Sequence, residues 1–140
     1  MPHILVIDDD AALREMITMM LRHFGYEVSR AADGMEGLAV CRRETPDLVL
    51  TDMVMPRLDG IGFIQAARQE FPELPIIAMS GGLAESGTYL QVARAAGAYA
   101  ELPKPFAVGQ LTSAIAAALA DRTGLRAENA VTSLALIAGA

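Results

Sequence analysis

The sequence predicts an α/β fold, a single doubly wound five-stranded parallel sheet of the (βα)5 kind. Apolar runs of strand length recur along the chain, and amphipathic helical stretches separate them. The runs are continuous rather than alternating, as strands buried on both faces of a parallel sheet require. Strands are predicted at residues 4–7, 26–31, 48–51, 75–80 and 98–102, the second having the weakest pattern.

The helices follow from apolar residues spaced three or four apart. In the first, one face is predicted to carry Leu13, Met16, Ile17, Met20, Leu21 and Phe24, with Gly25 placed to end the helix. We expect Met16, Met19 and Met20 to face the core as gap-fillers. Further helices are predicted at 34–44, 59–70, 86–96 and 107–122. Asp10 is placed to cap the first helix.

Length and composition indicate one cytoplasmic domain. The chain has 140 residues, of which 53% are apolar, enough for a core without disulfides or a structural metal. A formal net charge of −6 argues against binding to nucleic acid or to an anionic membrane surface. The single cysteine, Cys41, cannot form an internal disulfide, and no apolar run approaches the roughly 20 residues of a membrane span.

Acidic residues follow two of the predicted strands. Asp8, Asp9 and Asp10 come after the first strand, and Asp52 comes after the third. Ligands of such sheets bind beyond the carboxyl ends of the strands, and carboxylates held together there must bind a cation or keep a proton. Mg²⁺ fits, because it prefers oxygen ligands and usually takes one or two carboxylates. We expect Asp52 to accept a phosphoryl group beside this ion.

Two more polar residues end predicted strands. Lys104, the only lysine, lies between two prolines after the fifth strand, and Ser80 ends the fourth strand before Gly81 and Gly82. An ammonium there can contact a phosphoryl oxygen as a point charge. The Ser80 hydroxyl could donate to another oxygen, although serine is also common as a turn or cap residue.

These motifs together resemble the signature of bacterial two-component response-regulator receiver domains of the stand-alone, chemotaxis-regulator-like kind. The resemblance covers about residues 3–122 and rests on Val6-Ile-Asp-Asp-Asp10, Thr51-Asp-Met-Val-Met-Pro56 with Asp59-Gly60, Ser80-Gly81 and Lys104-Pro105. It implies the flavodoxin-like strand order 2-1-3-4-5. It also implies that Asp52 is phosphorylated and that Asp8, Asp9, Asp52 and the Val54 carbonyl hold Mg²⁺.

The resemblance assigns further roles. Ser80 and Lys104 would bind the phosphoryl group, and Ser80 and Tyr99 would form the conformational switch. The Lys104–Pro105 bond would be cis, as is usual in the family. Tyr99 is equally compatible with an ordinary strand aromatic that packs on the sheet. Val54 and Gly82, two residues beyond Asp52 and Ser80, would influence how fast water removes the phosphoryl group.

The implied function is phosphorelay signalling, not conventional enzymatic turnover. A histidine kinase or a histidine phosphotransfer protein would supply the phosphoryl group, and a separate protein would read the output at about residues 86–118. We expect a monomer or weak dimer. The receiver domain would span 1–123, and residues 124–140 would form an extension, either a short docked helix or a disordered tail.

Two other functions stay open. Asp8-Asp-Asp10 formally supplies the Asp-x-Asp of a Mg²⁺-dependent phosphohydrolase with Asp8 as nucleophile. Against it, Ala12 stands where haloacid-dehalogenase-like enzymes carry Thr or Val, and the chain has little room for a substrate-capping element. The second alternative is a receiver-like binding module that is not phosphorylated, although every expected site position is retained.

Overall fold

The structure is a computed structural model that describes residues 1–81 and 91–121. Its strands are β1 (His3–Ile7), β2 (Glu27–Ala31), β3 (Leu48–Asp52), β4 (Ile76–Ser80) and β5 (Ala100–Pro103). The helices are α1 (Ala11–His23), α2 (Gly34–Arg43) and α3 (Gly60–Glu70). Helical residues 91–96 are labelled α4, and helical residues 108–121 are labelled α5. All strand pairs are parallel, in the order β2-β1-β3-β4-β5. The predicted fold class and strand order are therefore confirmed.

The sheet separates two hydrophobic cores. Successive side chains of a strand point to opposite faces, so Ile4 and Val6 join one core while Leu5 and Ile7 join the other. Apolar residues of α1 and α5 cover the first face, and those of α2, α3 and α4 cover the second. Because both faces are covered, every residue of β1, β3 and β4 is buried, which explains their continuous apolar runs.

Aspartates fix where the first three helices begin. Asp10, Asp33 and Asp59 are the N-caps of α1, α2 and α3, and each side chain accepts hydrogen bonds from backbone N–H groups of the first turn. These bonds satisfy donors that the helix itself leaves without partners. The capping role predicted for Asp10 is confirmed, and the loops that approach the caps lie at the carboxyl end of the sheet.

The predicted apolar face of α1 is wrong at its edges. Met16 and Phe24 are about half exposed and Met19 is 66% exposed, whereas Ile17 and Leu21 are fully buried. A helix turns about 100° per residue, so a stripe centred on Ile17 and Leu21 leaves Met16 and Met19 on its flanks. Only Met20 of the three methionines packs against the core cluster.

Other differences are small. The fifth strand begins at Ala100 and runs through Pro103, slightly later than predicted, and α3 begins one residue later because Asp59 is its cap. Gly82, the start of the predicted 86–96 helix and the 124–140 extension lie outside the described residues. Among the helices in the described ranges, none has both the length and the apolar character that a membrane span requires.

Candidate functional site

The site lies where β1 and β3 end side by side. Ile7 is paired with Thr51 in the parallel register, so Asp8 and Asp52 follow at the same edge of the sheet. Asp8 extends the ladder by donating its N–H to the Ala31 carbonyl (3.1 Å), and Met53 does the same toward the Met79 carbonyl (3.1 Å). The backbone beneath both carboxylates is therefore held by sheet hydrogen bonds.

Three carboxylates converge at this edge. One oxygen each from Asp8, Asp9 and Asp52 lies within 4.8 Å of the other two. Asp8 is fully buried and Asp52 is 9% exposed, whereas Asp9 is exposed. Burial, followed by the nearby charge of Asp8, raises the pKa of Asp52 to about 6. Because burial and mutual repulsion disfavour the ionised carboxylates, the site is suited to a bound cation.

Lys104 offsets part of this repulsion. Its ammonium nitrogen lies 3.1 Å from Oδ2 of Asp8 and 3.3 Å from Oδ1 of Asp52. Burial alone would lower the pKa of Lys104, but the charges of Asp52 and Asp8 outweigh it and raise that pKa. The Lys104 N–H donates to the Ser80 carbonyl (2.6 Å), and the Lys104–Pro105 bond is cis.

Ser80 carries a buried hydroxyl that has no hydrogen-bond partner among the described residues. The residue is 1% exposed, and its Oγ has no hydrogen-bond partner within residues 1–81 and 91–121. A buried polar group left without a partner costs about 1–3 kcal/mol. At the end of β4, next to β3, such a hydroxyl is suited to an incoming oxygen ligand.

The loop after β3 orients the Asp52 side chain. The Met53 N–H donates to Oδ1 of Asp52 (2.9 Å), and the Thr51 hydroxyl donates to the Asp52 carbonyl (2.9 Å). Val54 is 45% exposed two residues beyond Asp52. Its carbonyl as a metal ligand stays a prediction.

Tyr99 contacts α5 at its hydroxyl. That group donates to the carboxylate of Asp121, and the hydrogen bond, with the charge of Asp121, raises the pKa of Tyr99. The ring packs against the core cluster that α1 and α5 share. Both predicted roles remain compatible with this position, because the aromatic ring packs while the polar end stays near the surface.

Arg14 is a site neighbour that the sequence pattern did not reveal. Its Nη1 donates to the carbonyl of Asp8 (2.7 Å), the peptide that links Asp8 to Asp9. Asp8 also accepts the Asp10 N–H at Oδ1 (2.9 Å). The sequence feature that could have indicated this contact is the position of Arg14, four residues after the Asp10 cap. This spacing puts Arg14 one helical turn from the acidic loop.

The donor set fits a hard divalent cation. Three carboxylate groups supply oxygens, which are the ligands that Mg²⁺ takes in proteins, and Asp9 keeps the site open to water. Lys104 shares two of these carboxylates and would stand beside the cation as a second positive group. Asp8, Asp9, Asp52, Ser80 and Lys104, all predicted from the sequence, thus lie on the ends of adjacent strands β1, β3, β4 and β5 or directly after them.

Comparisons with known proteins point the same way. The response regulator receiver domain family model matches residues 4–116. The chain is 38% identical over 133 residues to Response regulator MprA of Mycobacterium ulcerans, covering 95% of this chain and 56% of that protein. It is 39% identical over 118 residues to Probable transcriptional regulator ycf27 of Porphyridium aerugineum, covering 83% and 47% respectively. The chain thus spans about half the length of these relatives.

A solved structure shares the fold. The response regulator receiver domain protein of Clostridium thermocellum superposes with a TM-score of 0.83 at 30% identity. The match covers 89% of this chain and 99% of that protein.

Proposed function

Because this chain belongs to the response-regulator receiver family, whose members act in phosphorelay signalling, we propose that Asp52 is its phosphoryl acceptor. The observation that carries the proposal is the placement of Asp52 between the Asp8 carboxylate, the Lys104 ammonium and the end of β4. Family members are signalling domains and not turnover enzymes, which argues against the phosphohydrolase with Asp8 as nucleophile.

The donor is a phosphohistidine of a histidine kinase or a histidine phosphotransfer protein. An Asp52 carboxylate oxygen attacks phosphorus, an acyl phosphate O–P bond forms, and the N–P bond to the donor imidazole breaks. The electron pair of that bond returns to the imidazole nitrogen, which takes up a proton. The carboxylate must be ionised to attack, and Lys104 favours that form.

Asp8, Asp9, Asp52 and the Val54 carbonyl would hold Mg²⁺. When bound, the ion neutralises charge on the phosphoryl oxygens during transfer. Lys104 neutralises a further oxygen, and the Ser80 hydroxyl, which lacks a partner in the described ranges, donates to another. In this proposal the carboxylates bind the metal ion, while Lys104 and Ser80 bind the phosphoryl oxygens.

The output would be read by another protein at about residues 86–118. This surface includes Tyr99 and the exposed side of α5, and residues 86–90 of it lie outside the described ranges. We place the protein in the cytoplasm as a monomer or weak dimer. The relatives are about twice as long as the matched segment, so further domains of the whole protein belong to the same proposal.

Phosphorylation with a small donor tests the acceptor. Acetyl phosphate with Mg²⁺ should add one phosphoryl group, measured by intact mass, and Asp52→Asn should abolish the addition. Asp10→Asn is the matched control, because asparagine keeps the α1 cap and should leave labelling unchanged. Phosphate on Asp8 would contradict the proposal, and an unlabelled wild type would support the non-phosphorylated module.

A further inference from the structure

We propose that Arg57 is a positioning residue for the metal site. Its ion pair with Asp33 ties the β3–α3 loop, residues 53–59, to the N-terminus of α2 and thereby holds the Val54 carbonyl for Mg²⁺, a role that rests on the proposed function. Arg57 itself contacts neither Asp8 nor Asp52 among the contacts of the described chain. It acts through the backbone of the loop that carries it.

The ion pair has one buried and one exposed partner. Nε and Nη2 of Arg57 lie 2.8 and 2.7 Å from Oδ2 of Asp33. The Asp33 side chain is 9% exposed and the Arg57 side chain 63% exposed. Oδ1 of Asp33 accepts the Glu36 N–H (2.9 Å), so one carboxylate caps α2 and binds the loop at the same time. Both guanidinium nitrogens converge on one oxygen, and two such charge-assisted contacts restrict the direction of the Arg57 side chain as well as its distance from Asp33.

The backbone at Arg57 adopts a conformation that needs such support. Its φ is +66°, in the left-handed region that glycine and sometimes asparagine adopt but that arginine rarely does. The next residue, Leu58, accepts the Gly34 N–H at its carbonyl (2.9 Å). A Cβ at Gly34 would lie 2.5 Å from that oxygen, so this approach requires glycine. The loop and the start of α2 are thus joined by two adjacent contacts.

The same loop is anchored to Asp52 at its other end. The Gly60 N–H donates to the Met53 carbonyl (2.9 Å), and a Cβ at Gly60 would lie 2.3 Å from the Asp52 carbonyl. Val54 lies between this anchor and the Arg57–Asp33 pair. Loss of the pair would leave the Gly34–Leu58 hydrogen bond as the remaining contact between the loop and α2, so the segment from Val54 to Arg57 would be less firmly held and the carbonyl of Val54 less well positioned for an ion.

Electrostatics alone predicts the opposite sign. Arg57 carries a positive charge in the loop next to a cation site, so its removal would strengthen Mg²⁺ binding if charge dominated. A positioning role predicts that removal weakens binding. The sign of the change in Mg²⁺ affinity therefore distinguishes a positioning role from a purely electrostatic one. A change in the free energy of unfolding would not distinguish them.

The test is the Mg²⁺ dissociation constant, measured by calorimetry on the folded chain. Arg57→Ala should weaken binding about fivefold, the size expected for one partly exposed ion pair. Arg57→Gly should also weaken it, because relief of the backbone conformation does not replace the pair. Arg57→Lys should restore part of the affinity. Asp33→Asn keeps an acceptor for the Glu36 N–H but loses the charge, so it should resemble Arg57→Ala.

The matched control is Arg42→Ala. Arg42 pairs with Glu70 at 2.8 Å between α2 and α3, with side chains 55% and 40% exposed, away from the β3–α3 loop. Its loss should leave Mg²⁺ affinity unchanged, with circular dichroism confirming that all variants fold. As a second measurement, Arg57→Ala should raise the Mg²⁺ concentration for half-maximal acetyl phosphate labelling, with the rate recovering at saturation.

Equal or tighter Mg²⁺ binding by Arg57→Ala would overturn the positioning role, as would equal weakening by Arg42→Ala. Failure of the wild-type chain to bind Mg²⁺ saturably, or labelling of Asp52→Asn, would instead overturn the proposed function and this role with it.

Discussion

The ammonium of Lys104 lies 3.1 Å from Oδ2 of Asp8, although the two residues are 96 positions apart in the chain. Asp8 is fully buried, and the side chain of Lys104 is only 18% exposed. Without a metal ion this pair, with the second contact of Lys104 to Asp52, offsets part of the negative charge of the acidic cluster. The lysine is therefore part of the resting site as well as a candidate phosphoryl ligand.

Lys104→Met should destabilise the Mg²⁺-free protein by about 1–3 kcal/mol, because it leaves two buried carboxylates without their cation. Mg²⁺ should recover part of the loss. Urea unfolding followed by circular dichroism measures both effects. Arg94→Met breaks the more exposed pair with Glu101 and should change the free energy of unfolding by less than about 1 kcal/mol. A Lys104 variant as stable as wild type would show that the acids do not need this partner.

Asp52→Asn should stabilise the metal-free protein at neutral pH. The pKa of Asp52 is raised from 3.8 to about 6 in the folded state, first by burial and then by the charge of Asp8. The folded state therefore binds the proton more tightly than the unfolded state, so ionised Asp52 destabilises the fold above about pH 6. This cost disappears as the pH falls from about 6 toward 4.

The advantage of Asp52→Asn should be about 1–3 kcal/mol at pH 7.5 in EDTA and should vanish near pH 4. Denaturant unfolding at a series of pH values measures it. Glu27→Gln, on an exposed position of β2, is the control and should change stability little at any pH. An asparagine variant less stable than wild type across the range would mean that the Asp52 hydrogen bonds outweigh its burial.

Mg²⁺ should raise the melting temperature by binding to the native state alone. At a concentration ten times the dissociation constant the gain is about 1.4 kcal/mol, or roughly 3–6 °C for a domain of this size. Asp9→Ala should remove the effect at little cost to the metal-free fold, because Asp9 is exposed. Asp10→Asn should retain it. No shift at millimolar Mg²⁺, or a shift that survives Asp9→Ala, would contradict the site.

The convergence of Asp8 and Asp52 could be predicted because it depends on backbone topology. Parallel strands end at one edge of the sheet, so residues that follow adjacent strands meet there whatever their separation in the chain. Continuous apolar runs identified the strands. The strand order that places β1 beside β3 was implied by the family resemblance, and the structure confirms it. Lys104 and Ser80 followed by the same reasoning, since each also stands at a strand end.

Side-chain contacts between loops could not be predicted in this way. The pairing of Arg57 with Asp33 depends on a backbone dihedral angle at Arg57 and on the close approach of Gly34 to Leu58, and neither leaves a periodic signal. The exposure of Met19 depends on how far α1 is rotated about its axis. Apolar spacing alone locates the centre of a helical stripe better than its edges.

Tyr99 offers a test of output separate from phosphorylation. If it is the switch residue, Tyr99→Ala should weaken capture of the target by the beryllofluoride-bound protein while leaving Asp52 labelling intact. Tyr99→Phe keeps the packed ring and removes only the bond to Asp121, so it should fold normally and keep labelling. Loss of both labelling and capture in Tyr99→Ala would mean that the residue is structural core.

The lifetime of the acyl phosphate should depend on side chains that flank the site. Val54 is two residues beyond Asp52, and Gly82, two residues beyond Ser80, lies outside the described residues. Valine has no hydrogen-bonding group and glycine no side chain, so neither can orient a water molecule for in-line attack on phosphorus. Hydrolysis in the wild type should therefore be slow.

Val54→Asn with Gly82→Glu should accelerate loss of the phosphoryl group about tenfold, equivalent to roughly 1.4 kcal/mol of barrier. The side chain of Val54 is exposed, so a polar group there should cost little stability. Decay of the labelled mass after removal of the donor measures the rate, and Val54→Ala is the control that opens space without adding a polar group. The competing effect is steric, since a missing side chain at Gly82 admits water. If the wild type or Val54→Ala loses phosphate as fast as the double variant, access of water controls the lifetime and orientation does not.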